Sequence, residues 1–397
     1  MINMEGKKLQ PINKIYSWGR KHGYITLYVL WFMMELILNS SSTEITYGLS
    51  SGIHTLLQRD LKYALILYIV IFQRYTLREL AVILPLSALF YYSARRAVNY
   101  ELFYTWLLIL GCKETGLPRT VKASFVMLAV SIPSFFILCK AGVLQDILIY
   151  RGSTPRHALG FVHPNSLGLF VFLLCACWFY IRDEKLRWPD YIAAVAAAAF
   201  TWAIPNTRAA CMALGLLCVL YLAGNKLKGK EKARKAWCIL LSVIAAGANT
   251  ASVFLSFTYD AGKRLYLIAD KLFSERLSIG NGIIKEFGVS LFGQRIYITQ
   301  SERMFAGIEP AEAIPFDNSY LRILVNWGII VYIIFTIGIL VCLMHESRKP
   351  SLNTFNALMI IAVYGVLERI LFLGVYCIFI LAISEIIYRK PDCKISI

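Results

Sequence analysis

The chain has 397 residues, of which 58% are hydrophobic and only 16% are charged, and its formal net charge is +17. Long apolar runs recur along almost its whole length, which excludes a water-soluble globular protein. The positive charge is concentrated in short loops between these runs, so it gives no reason to expect a nucleic-acid partner. In lipid, only helices and closed barrels satisfy every backbone group, and continuous rather than alternating apolar runs are typical of helices. The composition therefore predicts an all-α, polytopic integral membrane protein.

The apolar runs predict about twelve membrane-spanning helices. No soluble segment is long enough to fold by itself, so we expect residues 1–397 to form a single transmembrane domain. In chain order, the predicted spans are 24–40, 60–73, 79–93, 100–112, 121–139, 165–181, 190–204, 208–224, 236–257, 320–344, 354–367 and 369–388.

The distribution of lysine and arginine predicts the orientation. Residues 1–23 are basic and end in no small-residue cleavage site, so we expect no signal peptide and a cytoplasmic N-terminus. Every second loop after that is basic, and the tail 389–397 is too, which places both termini in the cytoplasm. Arg95 and Arg96 are exceptions, because this topology puts them on the outer side.

Two long loops are expected on the outer face, 140–164 and 258–319. The second has nearly balanced charge, and the first half of this loop has the spacing of an amphipathic helix, with a break predicted at Gly280 and Gly282. A long loop with a pattern of its own is more often functional than merely connecting.

The apolar run 357–387 is too long for one span, and Glu368 and Arg369 interrupt it. We therefore predict a tight hairpin that turns at Glu368 and returns the basic tail to the cytoplasm.

Four groups of polar residues fall on the outer side of this topology. The first is RHALGFVHPNSLG (156–168), in which His163, Pro164 and Asn165 predict the start of a helix. One interpretation is a helix cap with incidental histidines. The other is that Arg156, His163 and Asn165 contact a substrate.

The second and third groups each centre on an arginine. Arg208 follows the polar turn IPNT and begins an apolar helix, where it is either a snorkelling side chain or an anion ligand. Arg276 lies in KLFSERLSIG, where an amphipathic helix could carry arginine on its solvated face.

The fourth group is FDNSYLRIL (316–324), in which Asp317 and Asn318 precede the tenth span. Both residue types also cap helices. Glu368 and Arg369 add a carboxylate and a guanidinium at the predicted outer turn. Arginines suit phosphate, and a carboxylate or a histidine near them could take a proton from an attacking hydroxyl. No metal-ligand spacing is present, so we expect no metal and no other cofactor.

The order of five short motifs resembles the Wzy-type polymerases of O-antigen, capsular and exopolysaccharide repeat units, which are related to the O-antigen ligases. The resemblance covers roughly residues 150–390. The motifs are GF-x-HPN-x-LG (160–168), NTRAA (206–210), Ser-x-Arg (274–276), LFGQ (291–294) and DNSYL (317–321) with Gly328 downstream.

The resemblance implies a glycosyltransferase at the outer face of the bacterial cytoplasmic (inner) membrane. It would move a growing glycan from undecaprenyl diphosphate to an incoming lipid-linked repeat unit, alongside a flippase and a chain-length regulator of the same pathway. Arg208 and Arg276 would bind diphosphate, and Arg156 with His163 would line the substrate site.

Asp317 stands where the related ligases carry a histidine, so the proton acceptor could be Asp317, His163 or Glu368. Asn165, Asn318 and Arg369 complete the candidate substrate contacts. Two other functions remain open: a flippase or transporter of lipid-linked oligosaccharide, and a glycan transferase of the ligase type.

Overall fold

A computed structural model describes residues 3–47, 51–299, 303–304 and 315–388. Within these ranges almost all regular structure is helical, and seven helices are long and apolar enough to cross a membrane. The chain is therefore an all-α membrane protein, as predicted.

The α-helices of the described residues are α1 (Asn3–Met34), α2 (Thr43–Tyr47), α3 (Ser51–Phe72), α4 (Leu77–Ala97), α5 (Glu101–Gly111), α6 (Leu117–Lys140), α7 (Pro164–Arg182), α8 (Trp188–Ala203), α9 (Arg208–Lys226), α10 (Glu231–Phe257), α11 (Arg264–Leu272), α12 (Arg276–Phe287), α13 (Ser319–Arg322), α14 (Ile329–Glu346), α15 (Asn353–Leu367) and α16 (Ile383–Ile387). The antiparallel strands β1 (Leu148–Arg151) and β2 (Thr154–His157) form a hairpin. Short 3₁₀ turns cover Asp183–Lys185, Gly374–Tyr376 and Ile378–Ala382, and π-helical turns cover Glu35–Ser40 and Ile323–Trp327.

Contacts between the helices group the chain into two compact units. Of the described residues, those within 1–83, 107–218 and 381–397 form the first unit, and those within 84–106 and 219–380 form the second. In the first unit α1 packs against α3 and α6, and α7 packs against α6 and α8. In the second unit α10 packs against α12, α14 and α15. The apolar faces of these helices form the core of each unit.

The first predicted span, 24–40, is part of a longer helix. We expected residues 1–23 to be a separate segment, but α1 begins at Asn3 and runs without interruption through Gly19 and Gly23. The reason is packing: a Cβ atom at Gly23 would lie 2.8 Å from the ring of Tyr68. Gly23 leaves room for the Tyr68 ring of α3, and α1 continues through it.

The tenth predicted span, 320–344, is interrupted at Gly328. The backbone there has φ +96°, and a Cβ atom would collide with the backbone of Leu291 and Gly293. Asn326 O accepts from Gln294 N at 2.9 Å, and Ser290 O accepts from Ile329 N at 3.0 Å. The segment 290–294 thus bonds backbone groups that a continuous helix would bond internally.

The last predicted span, 369–388, is wrong as a regular helix. Helix α15 ends at Leu367, where the turn at Glu368 was expected, but the chain then forms 3₁₀ turns until α16. Side chains satisfy this backbone in place of helical bonds. Thr105 Oγ1 donates to Phe372 O and accepts from Gly374 N, both at 2.9 Å.

The predicted break at Gly280 and Gly282 is also wrong, because α12 continues through both glycines. The break between α11 and α12 lies instead at Ser274 and Glu275, which have φ values of +53° and +65°. A Cβ atom at Gly280 would lie 2.5 Å from Leu321 Cδ2 and 2.9 Å from Ser256 Oγ. Gly280 therefore serves close packing of α12 on its neighbours.

Substituting Gly280 and Gly282 should have different effects on stability. Gly280→Ala is expected to destabilise the protein by about 1–3 kcal/mol, because its methyl group overpacks a filled contact. Gly282→Ala is the matched control: Gly282 is exposed with open space around it, so alanine should be neutral or stabilise α12 by about 0.5–1 kcal/mol. Thermal unfolding in detergent measures both, and equal effects of the two substitutions would contradict the packing role of Gly280.

Candidate functional site

The predicted site residues fall into two groups, one in each unit. Both groups lie at helix ends or at the segments that join helices. Arg156, His163, Asn165 and Arg208 belong to the first unit, and Arg276, Asp317, Asn318, Glu368 and Arg369 belong to the second.

In the second unit, one arginine binds two carboxylates from distant parts of the chain. Arg276 Nη2 lies 2.8 Å from Glu368 Oε1 and 3.5 Å from Asp317 Oδ2. We call these three residues the Arg276 cluster. It brings together the start of α12, the segment before α13 and the end of α15. The sequence predicted each residue but could not predict that the two carboxylates share one guanidinium.

The members of the Arg276 cluster differ in exposure. The side chains of Arg276 and Glu368 are 13% and 16% exposed, whereas that of Asp317 is 33% exposed. One positive and two negative charges give the cluster a formal charge of −1. A site with this charge opposes a further anion, and Asp317 is its most accessible carboxylate.

Asp270 fixes the position of Arg276. Its side chain is buried, and Oδ1 accepts from Leu277 N at 2.9 Å and from Ser278 N at 3.0 Å. These bonds satisfy two N–H groups in the first turn of α12, which a helix cannot satisfy internally. The role of Asp270 could not be predicted from the sequence, because its partners lie across the irregular turn at 273–275.

Asn318 anchors the segment that carries Asp317. Its Oδ1 accepts from Leu321 N at 3.0 Å, which confirms the predicted helix cap, and its Nδ2 donates to Ser252 Oγ at 3.2 Å. Asn318 and Ser252 are buried. The second bond joins the cap to α10, so the oxygen and the nitrogen of the Asn318 amide both have partners within the protein.

Ser319 bonds the backbone at Glu368. Its Oγ donates to Glu368 O at 2.6 Å and accepts from Ile370 N at 2.9 Å. Three successive residues thus have three separate partners: Asp317 pairs with Arg276, Asn318 bonds α10, and Ser319 bonds the end of α15. Arg369 is exposed and forms no ion pair with another described residue.

In the first unit, His163 caps α7. His163 Nδ1 accepts from Asn165 N at 3.0 Å, and Pro164 occupies the first helical position. The predicted helix start is confirmed, but the capping side chain is His163 and not Asn165. Asn165 Oδ1 instead accepts a short hydrogen bond from Arg156 Nη2.

The β-hairpin donates hydrogen bonds to three successive carbonyl groups of the turn before α9. Ile204 O accepts from His157 N at 3.2 Å, and Pro205 O accepts from Arg156 Nε at 2.9 Å. Asn206 O accepts from Arg151 Nη1 at 3.2 Å. We call residues 146–157 and 204–208 the hairpin–turn module. Arg156, predicted as a substrate contact, is buried inside it.

Arg208 follows this turn at the first position of α9. It is exposed, and no ion pair joins it to another described residue. Thr207 before it packs against Gly168 of α7 so closely that a Cβ atom at Gly168 would collide with the threonine side chain. The motifs 160–168 and 206–210 are therefore in direct contact.

An Asp–His pair at the base of the hairpin was not among the predicted site residues. His157 Nδ1 lies 2.6 Å from Asp146 Oδ2, and Asp146 Oδ1 accepts from Leu159 N at 2.8 Å. The two residues are eleven positions apart, and only the hairpin register brings them together. That register could not be read from the sequence, since the predicted loop 140–164 showed no strand alternation.

No group of three or more histidine, cysteine, aspartate or glutamate side chains in the described ranges could hold a metal ion. The two groups instead offer arginines, carboxylates and an imidazole at helix ends. Compared with known proteins, the chain matches no family model, no curated protein and no solved structure.

Proposed function

We propose that the protein is a membrane glycosyltransferase that polymerises polysaccharide repeat units. The observation that carries the proposal is the Arg276 cluster, in which two carboxylates from separate segments flank one guanidinium. An accessible carboxylate held by a neighbouring arginine and by a capped helix is what proton abstraction from a sugar hydroxyl needs. The motif order of the polymerases supports the same reaction class.

The proposal includes twelve membrane crossings with both termini in the cytoplasm. The seven long apolar helices supply seven of them, with α13 joined to α14 as the tenth. The remaining crossings are α3, α5, α8, α15 and the segment 368–388. In this topology the loops 140–164 and 258–319 are on the outer face of the bacterial cytoplasmic membrane.

In the proposed reaction, Asp317 takes the proton of the acceptor hydroxyl on the incoming lipid-linked repeat unit. The acceptor oxygen forms a bond to the anomeric carbon of the growing glycan. The bond from that carbon to undecaprenyl diphosphate breaks, and its electron pair leaves with the diphosphate. Arg276, which is itself paired with Glu368, holds the Asp317 carboxylate in place.

The leaving diphosphate is assigned to Arg208 rather than to Arg276. Arg276 already has two carboxylates within 3.5 Å, so its charge is neutralised within the cluster. Arg208 is exposed, always charged and able to bind phosphate through two parallel hydrogen bonds. This assignment changes our expectation that both arginines bind diphosphate.

Reconstituted protein supplied with an undecaprenyl-diphosphate-linked repeat unit should produce a ladder of glycan lengths. Arg208→Ala is expected to lower the rate of ladder formation by about 10²-fold or more, because a charged hydrogen-bond partner of the leaving group is lost. Arg78→Gln, at an exposed arginine on the predicted cytoplasmic side, is the control and should retain the ladder. A full ladder from Arg208→Ala protein at normal levels would oppose the role of Arg208.

One observation favours a transporter of lipid-linked oligosaccharide as the second candidate. Transporters bind substrates at discontinuous helices, and two apolar segments here are discontinuous, at Gly328 and at 368–382. The same vesicles distinguish the two functions. Movement of the lipid between leaflets without any ladder would favour the transporter, and a ladder favours the polymerase.

A further inference from the structure

The hairpin–turn module carries an excess of positive charge. Its segments 146–157 and 204–208 contain three arginines (Arg151, Arg156 and Arg208) and one carboxylate (Asp146), so their formal charge is 3 − 1 = +2 with neutral histidines. The Arg276 cluster has a charge of −1. The hairpin–turn module therefore favours an anionic ligand, whereas the Arg276 cluster does not.

The three arginines of the module are placed differently. Arg156 is 5% exposed and bonds Pro205 O and Asn165 Oδ1, so it holds the turn from the inside. Arg151 is exposed at the end of β1. Its Nη1 donates to Asn206 O, two residues before Arg208. The guanidinium of Arg151 therefore lies at the turn from which Arg208 projects.

Two guanidinium groups on one short turn suit a ligand with two adjacent phosphates. Each guanidinium carries five N–H donors, so Arg151 can bond a carbonyl and a phosphate oxygen at the same time. The turn itself is fixed, because three of its successive carbonyls each accept a hydrogen bond from the hairpin. Such fixed placement lowers the entropic cost of binding.

Exposed apolar side chains of β1 indicate that the hairpin lies at a membrane interface. Leu148 and Tyr150 of β1 are 47% and 66% exposed. Exposed tyrosine and leucine next to arginine are typical of surfaces at the membrane interface. Strand alternation places Leu148 and Tyr150 on the face of β1 opposite Arg151, so they can contact lipid while Arg151 contacts the phosphates of a lipid-linked diphosphate. A free phosphate would leave this apolar face unused.

We propose that the β-hairpin is a recognition element for polyprenyl diphosphate, in which Arg151 is a second phosphate ligand beside Arg208. Arg156 is the positioning residue that fixes the turn between them. The inference rests on the proposed function, since it extends the diphosphate site assigned to Arg208. It adds a residue that the motif pattern does not contain.

The test is binding of farnesyl diphosphate to the full chain in nanodiscs of neutral lipid. Arg151→Gln is expected to weaken binding by roughly 10-fold or more, because one charge-assisted contact is lost. Arg151→Lys keeps the charge without the planar fork and should bind between wild type and Arg151→Gln. Arg78→Gln, in the same unit, should bind like wild type. Unchanged melting temperatures show that the variants fold.

Wild-type affinity in folded Arg151→Gln protein would overturn the proposal. The proposal would also be overturned if phosphatidylglycerol in the nanodiscs competed with farnesyl diphosphate as well as farnesyl diphosphate itself does. The site would then bind any anionic lipid. Weaker binding by Arg151→Gln together with no glycan ladder from wild type would support the binding site and reject the polymerase function.

Discussion

Arg276→Ala is expected to destabilise the protein by about 3 kcal/mol and to abolish glycan polymerisation. The substitution leaves Asp317 and Glu368 close together with no guanidinium between them. Glu368 is mostly buried, and a buried charge that loses its partner costs more than the pair contributed. Repulsion between the carboxylates should also displace the segment that carries Asp317. Thermal unfolding in detergent and the ladder assay measure the two effects.

A second substitution separates repulsion from simple loss of contact. Adding Glu368→Gln to Arg276→Ala removes one of the two unpaired charges, so the double variant should be more stable than Arg276→Ala alone. Such recovery is the non-additivity expected of residues in one charged network. If the two destabilising effects simply add, Arg276 and Glu368 are not energetically coupled, and the ion pair between them has no structural role.

The parts of the fold that could be predicted from the sequence are those that follow from local pattern. Apolar runs long enough for a bilayer predicted helices α6, α7, α9 and α10 to within a few residues. The interruption at Glu368 was predictable too, because a charged pair inside an apolar run is costly in lipid.

The features that could not be predicted depend on contacts between distant segments. Gly280 and Gly328 look alike in the sequence, yet Gly280 continues a helix against Leu321, and Gly328 breaks one against Leu291 and Gly293. Only the neighbouring segment decides between these outcomes. The irregular chain after Glu368 depends in the same way on Thr105, a residue more than 260 positions away.

The candidate site shows the same division. Composition and spacing identified Arg276, Asp317 and Glu368 as isolated candidates, since ionisable residues next to apolar helices are uncommon. Their mutual contacts required the turn at Ser274 and Glu275 and the cap from Asp270, neither of which has a local signal. His163 was predicted at a helix start, but the sequence did not show that its ring would cap the helix while the side chain of Asn165 bonds Arg156.

Asp317→Asn is expected to leave the fold intact and to reduce ladder formation by about 10²- to 10⁴-fold. The amide has nearly the shape of the carboxylate, and the closer pair of Arg276 with Glu368 at 2.8 Å is retained. Stability should therefore change little. The amide cannot take a proton from the acceptor hydroxyl, so the contribution of general base catalysis is lost. The measurement is the initial rate of ladder formation at equal protein levels.

Glu368→Gln is the matched control, because it alters the other carboxylate of the same cluster. It removes the closer ion pair and should lower the melting temperature more than Asp317→Asn does. Asp317 stays charged and 3.5 Å from Arg276, so this variant should keep more polymerase activity. The opposite ranking, with Glu368→Gln inactive and Asp317→Asn active, would make Glu368 the base and reduce Asp317 to a partner of Arg276. The less exposed carboxylate would then need substrate binding to open a path to it.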